Sequence, residues 1–309
     1  MVDVSTITIG APFEDELKCH TDLHAFLCVL ESDSFLFLPD RLRERMIALD
    51  DLDAGFGGFD SEDSTRSRYS RLHQRAKALR IRLEASNSEL YQSMRSDIVR
   101  GCQPRALLQW LEDSASDNEP RSPLPGLGFD YRDELVSGML QLLEPSETNP
   151  QVSPEMVPYQ PTPVRHILQL IETAAVAEDD VFVDLGSGLG HVPLLVSMVT
   201  GAQSLGVEVE PAYVASARKC ARSLHLSRVQ FIAQDARDAD LSRGNVFYLY
   251  SPFKGSILAD VLSALKKESM RRSIKICSLG PCTHRISNET WLKASALSDT
   301  GRITVFDSL

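Results

Sequence analysis

The segment Val181-Phe-Val-Asp-Leu-Gly-Ser-Gly-Leu-Gly-His191 constrains the fold more than any other part of this chain. A short apolar run carries one acid, three glycines follow at alternate positions, and a second apolar run, Val192 to Val199, begins at once. The first run lacks the in-out alternation of a half-solvated strand, so it reads as a strand covered on both faces, with the second run as a helix. Open parallel sheets present loop backbone to a nucleotide-like ligand at this position, beyond the carboxyl end of a strand.

The residues downstream continue the pattern. Ala202 to Glu208 predicts a second strand, Pro211 to Leu226 a helix, Val229 to Ile232 a third strand and Val246 to Tyr250 a fourth. Gly255 to Lys267 predicts the next helix and Ile274 to Leu279 a fifth strand. Trp291 to Leu297 and Arg302 to Phe306, joined by Ser298-Asp-Thr-Gly301, read as a β-hairpin. The expected class is therefore α/β: a doubly wound, Rossmann-like, mostly parallel sheet whose antiparallel edge is the terminal hairpin.

Upstream, apolar residues recur at helical spacing in Phe13 to Leu30, Arg41 to Leu49, Arg66 to Arg82, Ser88 to Arg100, Arg105 to Leu111 and Tyr131 to Leu143. Glu144 to Pro158 holds four prolines and little apolar periodicity, so it reads as a linker. The expected organisation is a mainly helical region over 1–144, serving as lid, substrate platform or dimer contact. A linker over 145–158 and a ligand-binding domain over 159–309 follow. In that domain Thr162 suits an N-cap and Pro163 the first position of a helix, which brings Tyr159 beside the glycine loop.

Several features carry less than they suggest. Gly55, Gly57 and Gly58 follow no strand and precede no Lys-Ser/Thr pair, so they read as a loop rather than a phosphate cradle. The basic run from Arg66 to Arg82 reads as a solvated helix face. His20 and His24, with Cys19 and Cys28 nearby, lack a third partner of the HExxH kind, and no metal is expected. The six cysteines form no CxxC pair and read as reduced thiols, with Cys277 and Cys282 packed as small apolar residues.

The net charge is −11, and it is uneven: residues 1–160 hold 16 basic and 28 acidic residues, whereas 161–309 hold 16 and 15. That balance disfavours bulk nucleic acid and favours a cationic protein or amine as partner. Ala25 to Leu30, the longest apolar run near the N-terminus, falls far short of the ~20 residues that span a bilayer. The first 18 residues carry Glu14, Asp15 and Glu16 and no basic n-region. A cytoplasmic protein without a membrane partner is expected, with a homodimer as one possible assembly.

The chemistry rests on the loop and the acids around it. Gly186, Gly188 and Gly190 are spaced GxGxG, and a dinucleotide fingerprint requires a glycine at 191, where this chain has His191. S-adenosylmethionine has no phosphate to seat; its ammonium suits Asp184 at the end of the first strand. Glu208 ends the second strand, 22 residues after Gly186, near the interval at which an acid meets a ribose diol. Asp235-Ala236 follows the third strand, where the acid can accept from an adenine amino group.

The motifs VFVDLGSGLGHV, GVEVEP and QDARDAD resemble the consecutive cofactor motifs of class I S-adenosylmethionine-dependent methyltransferases. FVDLGSG and GVE are particularly similar to the non-SET histone-lysine methyltransferases. The resemblance implies a cofactor site of Asp184, Gly186, Ser187, Gly188, Gly190, His191, Glu208, Asp235 and Ala236. It fades at Tyr250-Ser-Pro-Phe253, which is similar to the Asn-x-Pro-Phe/Tyr ends of N-methyltransferases but begins with tyrosine. Tyr159, Tyr250 and Phe253 are the candidate catalytic residues, and the acceptor expected is an amine on a protein side chain or a small molecule. An NAD-dependent oxidoreductase and a non-catalytic cofactor-binding scaffold are the competing readings.

Overall fold

The computed structural model describes residues 13–56, 67–101, 107, 110–111, 129–145, 153–295 and 300–309. The side chains of Cys19 and His20, Cys102, the glycines 57 and 58, most of the predicted helix 105–111, residues 146–152 of the linker, and part of the hairpin turn lie outside the described residues. The chain forms two compact units, Met1–Ser93 and Met94–Leu309, so the division falls well before the linker read from the prolines.

In the first unit α1 (Phe13–Ser32) is followed by two 3-10 turns, α2 (Leu42–Phe56) and α3 (Ser67–Val99). Leu23 and Leu27 of α1, Ala48 and Leu52 of α2, and Leu72, Leu79 and Leu83 of α3 share one core. The sequence predicts two helices where α3 runs unbroken. Ser86 and Ser88 satisfy their hydroxyls on the carbonyls of Arg82 and Glu84 one turn back, so they do not interrupt it. Two cations of the basic stretch are paired, Arg75 with Glu31 and Arg80 with both Asp53 and Glu84. Arg82 lies 4.5 Å from the centre of the Phe37 ring.

The second unit contains α4 (Tyr131–Leu140), α5 (Val164–Ala174), β1 (Val181–Leu185), α6 (His191–Thr200), β2 (Gln203–Glu208), α7 (Pro211–Ser223) and β3 (Val229–Ala233). It continues with β4 (Val246–Leu249), α8 (Gly255–Ser269), β5 (Lys275–Ser278), α9 (Cys282–Ile286), β6 (Leu292–Ala294) and β7 (Thr304–Ser308). The sheet order is β3-β2-β1-β4-β5-β7-β6. β1 to β5 run parallel, and β7 is antiparallel to both β5 and β6. This is the doubly wound sheet that the sequence predicts, with one refinement. The antiparallel strand β7 inserts next to β5, and the edge falls to β6, only three residues long. Thr304, Val305 and Phe306 are all buried, which suits an interior position covered on both faces.

The order of strand connections reverses between β1 and β4. From β1 the connections go outward to β2 and β3, whereas β4 pairs on the other side, leaving a crevice at the carboxyl ends. The entry to α5 differs from the expectation. Pro163 is its N-cap and has no capping side chain. The Val164 N–H donates instead to Asp133 Oδ1 of α4 at 2.8 Å, while Asp133 Oδ2 accepts the Asp130 N–H at 2.7 Å. Thr162 is drawn elsewhere: its hydroxyl lies 3.3 Å from the Tyr248 hydroxyl, which would otherwise be buried unpaired. Among the described residues no helix is long and apolar enough to cross a membrane.

One carboxylate thus caps α4 and α5 together. Asp133→Ala should lower the unfolding free energy by about 1–3 kcal/mol, the range for lost caps and charged hydrogen bonds. Urea unfolding followed by circular dichroism measures it, and an unchanged midpoint would contradict the shared-cap account.

Candidate functional site

A cleft of about 1230 Å³ opens over the carboxyl ends of β1 to β4. Ten of the residues predicted from sequence line it: Tyr159, Asp184, Gly186, Ser187, His191, Glu208, Asp235, Ala236, Tyr250 and Phe253. Gly188 and Gly190 stand behind its surface.

The loop after β1 is held by the end of β2. The N–H groups of Gly186 and Ser187 both donate to the Val207 carbonyl, at 2.8 and 3.0 Å. The Gly188 N–H donates to Glu208 Oε2 at 2.8 Å. Gly186 and Gly188 have φ of +86° and +52°, in the left-handed region. A Cβ at Gly186 would collide with the Pro252 ring, and one at Gly188 with the Tyr159 ring. Glycine is therefore required twice over, for conformation and for close approach.

Asp184, one residue before the end of β1, is 3% exposed. Burial, with the Glu208 charge nearby, raises its carboxyl pKa well above the ordinary value, and a cation bound beside it would favour the ionised form and bring that pKa down. Glu208 is differently placed. Its Oε2 accepts from Gly188 and its Oε1 from the Glu210 N–H at 2.9 Å, which fixes both oxygens toward the cleft with lone pairs to spare. The Ser187 hydroxyl is buried without a hydrogen-bond partner among the described residues. Asp235 already holds a bidentate ion pair with Arg237, at 3.0 and 2.8 Å, and that guanidinium lowers its pKa. Ala236 beside it is buried.

Tyr159 closes one side. Its hydroxyl is 3.0 Å from His191 Nδ1 and its ring centre 5.2 Å from that of Tyr213. Burial raises the Tyr159 phenol and pushes the His191 imidazole down to about 4. The opposite wall is the loop after β4. Ser251 has φ of +44°, turning the chain so that Pro252 faces Gly186. Tyr250 is half-buried at the cleft, whereas Phe253 is 5% exposed and packs with Ile257, Leu258 and Val261 of the core. Of the two readings of Phe253, a stacking ring or a core aromatic, its burial favours the second.

A strap missed by the sequence reading joins these walls. The Lys254 N–H donates to the Glu155 carbonyl at 2.8 Å, and the Val157 N–H to the Pro252 carbonyl at 3.0 Å. Glu155 Oε2 accepts from the Ser256 hydroxyl and the Ile257 N–H, capping α8 from outside its own sequence. Nothing in the local pattern announces a cap 100 residues away; a carboxylate stranded among prolines was the only signal. Tyr213 and Tyr248 were missed because each looks like an ordinary helix or strand residue.

The low pKa of His191 sets a sign. The unfolded ring takes its proton near 6.5, so between about 6.5 and 4 the unfolded chain binds the extra proton and stability falls as pH drops. Nuclear magnetic resonance titration of the His191 ring should give a midpoint near 4; a midpoint above 6 would contradict its enclosure.

Residues 155–250, about a third of the chain, match the family model described as histone methylation protein DOT1. No curated protein matches the chain in sequence. Among solved structures, an RNA methyltransferase from Salinibacter ruber in complex with S-adenosyl-L-homocysteine is similar at 28% identity and a TM-score of 0.40. The likeness covers 48% of this chain and 92% of that one. A human methyltransferase 10 domain containing protein is similar at 15% identity and a TM-score of 0.38, over 56% of this chain and 91% of that one. The sheet order, the glycine loop with its series of acids, and the DOT1 match together identify an S-adenosylmethionine-dependent methyltransferase of the class I fold.

Proposed function

We propose that the chain transfers a methyl group from S-adenosylmethionine to the nitrogen of an amine, borne on a protein side chain or a small molecule. The observation that carries this reading is the loop Tyr250–Phe253 standing across the cleft from the glycine loop, with Pro252 against Gly186. Donor and acceptor sides thereby face each other over one gap.

The residues present suit the donor. Asp184, buried and lacking a cation, is matched to an ammonium group. Glu208, held by two backbone donors, is matched to a pair of hydroxyls. Ala236 and Asp235, the latter held by Arg237, are the residues after β3 that would meet the adenine. When bound, S-adenosylmethionine supplies a methyl group already activated on a sulfonium sulfur, so the protein's work is alignment and exclusion of water.

Neither the enclosed tyrosines nor His191 is suited to pull a proton near neutral pH. Burial raises the phenols of Tyr159 and Tyr250, and His191 holds a proton only in acid. The burial of Tyr159 and Tyr250 favours a positioning role. The acceptor amine accordingly arrives neutral, and Tyr250, half-buried at the rim, supplies the ring against which it lies. Phe253 anchors that loop from the core. The cytoplasmic reading rests on thiols: Cys220, Cys277 and Cys282 are free and buried, and burial pushes Cys277 up to about 12.

Two measurements test this. Glu208→Ala should weaken S-adenosylhomocysteine binding in titration calorimetry by about 1–3 kcal/mol, the cost of losing charged hydrogen bonds; equal affinity would remove the ribose assignment. Incubation with methyl-labelled cofactor and fractionated host extract should give a product whose hydrolysate contains an N-methyl amine. Label found only on oxygen, sulfur or carbon would overturn the amine reading.

A further inference from the structure

The charges around the cleft are sorted. Every carboxylate lining it, Asp184, Glu208, Glu210 and Asp235, belongs to β1, β2, β3 or the turn that follows. On the other side, from the loop after β4 to α9, the described lining residues include no carboxylate. They include Lys254 at the N-cap of α8 and Arg285 in the last turn of α9, both exposed. Arg165, exposed in the first turn of α5, lines the same cleft; that helix packs toward β5, and Thr162 just before it meets Tyr248 of β4. Arg285 makes one ion pair, with Glu289 at 2.5 Å, and Glu289 is not part of the cleft wall.

This arrangement runs against the charge of the molecule. A chain of net charge −11 places Arg165, Lys254 and Arg285 on this wall, with the Glu155 carboxylate that caps α8 beside Lys254. The donor's own cationic groups are answered by the acids of the first three strands, so the cations opposite have no role toward the donor. An ammonium-rich acceptor tail would meet like charge there, which costs energy in a partly desolvated cleft.

The geometry points to an acceptor that carries its own anionic group, a phosphate or carboxylate on a small molecule, close to the amine that is methylated. This rests on the methyl-transfer reading and narrows its acceptor class, against the cationic partner expected from net charge alone. A small molecule is favoured over a polyanion for two reasons. The acidic excess of residues 1–160 repels a long phosphate backbone, and three cations are few for a polymer track. The cleft, at about 1230 Å³, also exceeds the roughly 300–1,000 Å³ usual for one small ligand, leaving room for a donor and a compact acceptor together.

The test combines Arg165→Gln, Lys254→Gln and Arg285→Gln in one full-length variant, with a second carrying Arg165→Lys and Arg285→Lys. Wild type and both variants are incubated with labelled S-adenosylmethionine and host extract, and the products are separated on an anion exchanger and by ultrafiltration. The expected label is retained by the exchanger and passes the filter. Labelling should fall at least about tenfold in the glutamine variant and return in the lysine variant, while affinity for S-adenosylhomocysteine stays unchanged. Label in the exchanger's flow-through, equal labelling by the glutamine variant, or label on a nuclease-sensitive polymer would overturn the proposal. Absence of any label from wild type that binds S-adenosylhomocysteine would instead count against the methyl-transfer reading. In that case titration of the S-adenosylhomocysteine-loaded protein with inorganic pyrophosphate and with succinate decides the anion site. Binding of either probe that disappears in the glutamine variant supports the site and tells phosphate from carboxylate; binding of neither overturns it.

Discussion

The end of β2 governs this site. Val207 gives its carbonyl to two successive loop N–H groups, and Glu208 gives one carboxylate oxygen to a third. A glycine loop with left-handed residues has many conformations open to it, and these three bonds select one. The same carboxylate, pinned on its other oxygen by Glu210, then faces the cleft. One strand end thus shapes the loop and presents the acid that the loop's ligand needs. The opposing wall follows from it, because Pro252 and Tyr159 can approach only where the two glycines leave room.

The strap Ser153–Pro163 completes the arrangement from outside the sheet. Its backbone pairs with the loop after β4, Glu155 caps α8, and Tyr159 lies on the glycine loop and reaches His191. Donor-side and acceptor-side loops are therefore joined through one segment, and displacement of either is felt by the other. The charges of the cleft's lining residues are laid over this frame, with acids where β1 to β3 end and Arg165, Lys254 and Arg285 at the ends of α5, α8 and α9, Lys254 standing beside the Glu155 carboxylate.

Much of the sheet was legible because β1 and β4 are buried apolar runs, and β1, β2 and β3 each end at or near an acid or a glycine. Asp184, Glu208 and Asp235 could be read as a series for the same reason. What could not be read depended on distant partners. Thr162 looks like an N-cap and instead serves Tyr248, while Asp133 of another helix does the capping. The continuity of α3 was hidden because Ser86 and Ser88 favour helix ends until their hydroxyls find carbonyls one turn back. The place of β7 inside the sheet was equally unreadable, since a hairpin does not say which of its strands docks. Phe253 had two readings at the level of sequence, and only its burial separates them.

The account turns on the acids of the first two strands holding the methyl donor. A crystal structure of the protein grown with S-adenosylhomocysteine tests that most directly. It should show the amino group within hydrogen-bonding distance of Asp184 and both ribose hydroxyls on Glu208, with the glycine loop unmoved. A ligand seated elsewhere in the cleft, with Glu208 still bound only to backbone, would contradict it.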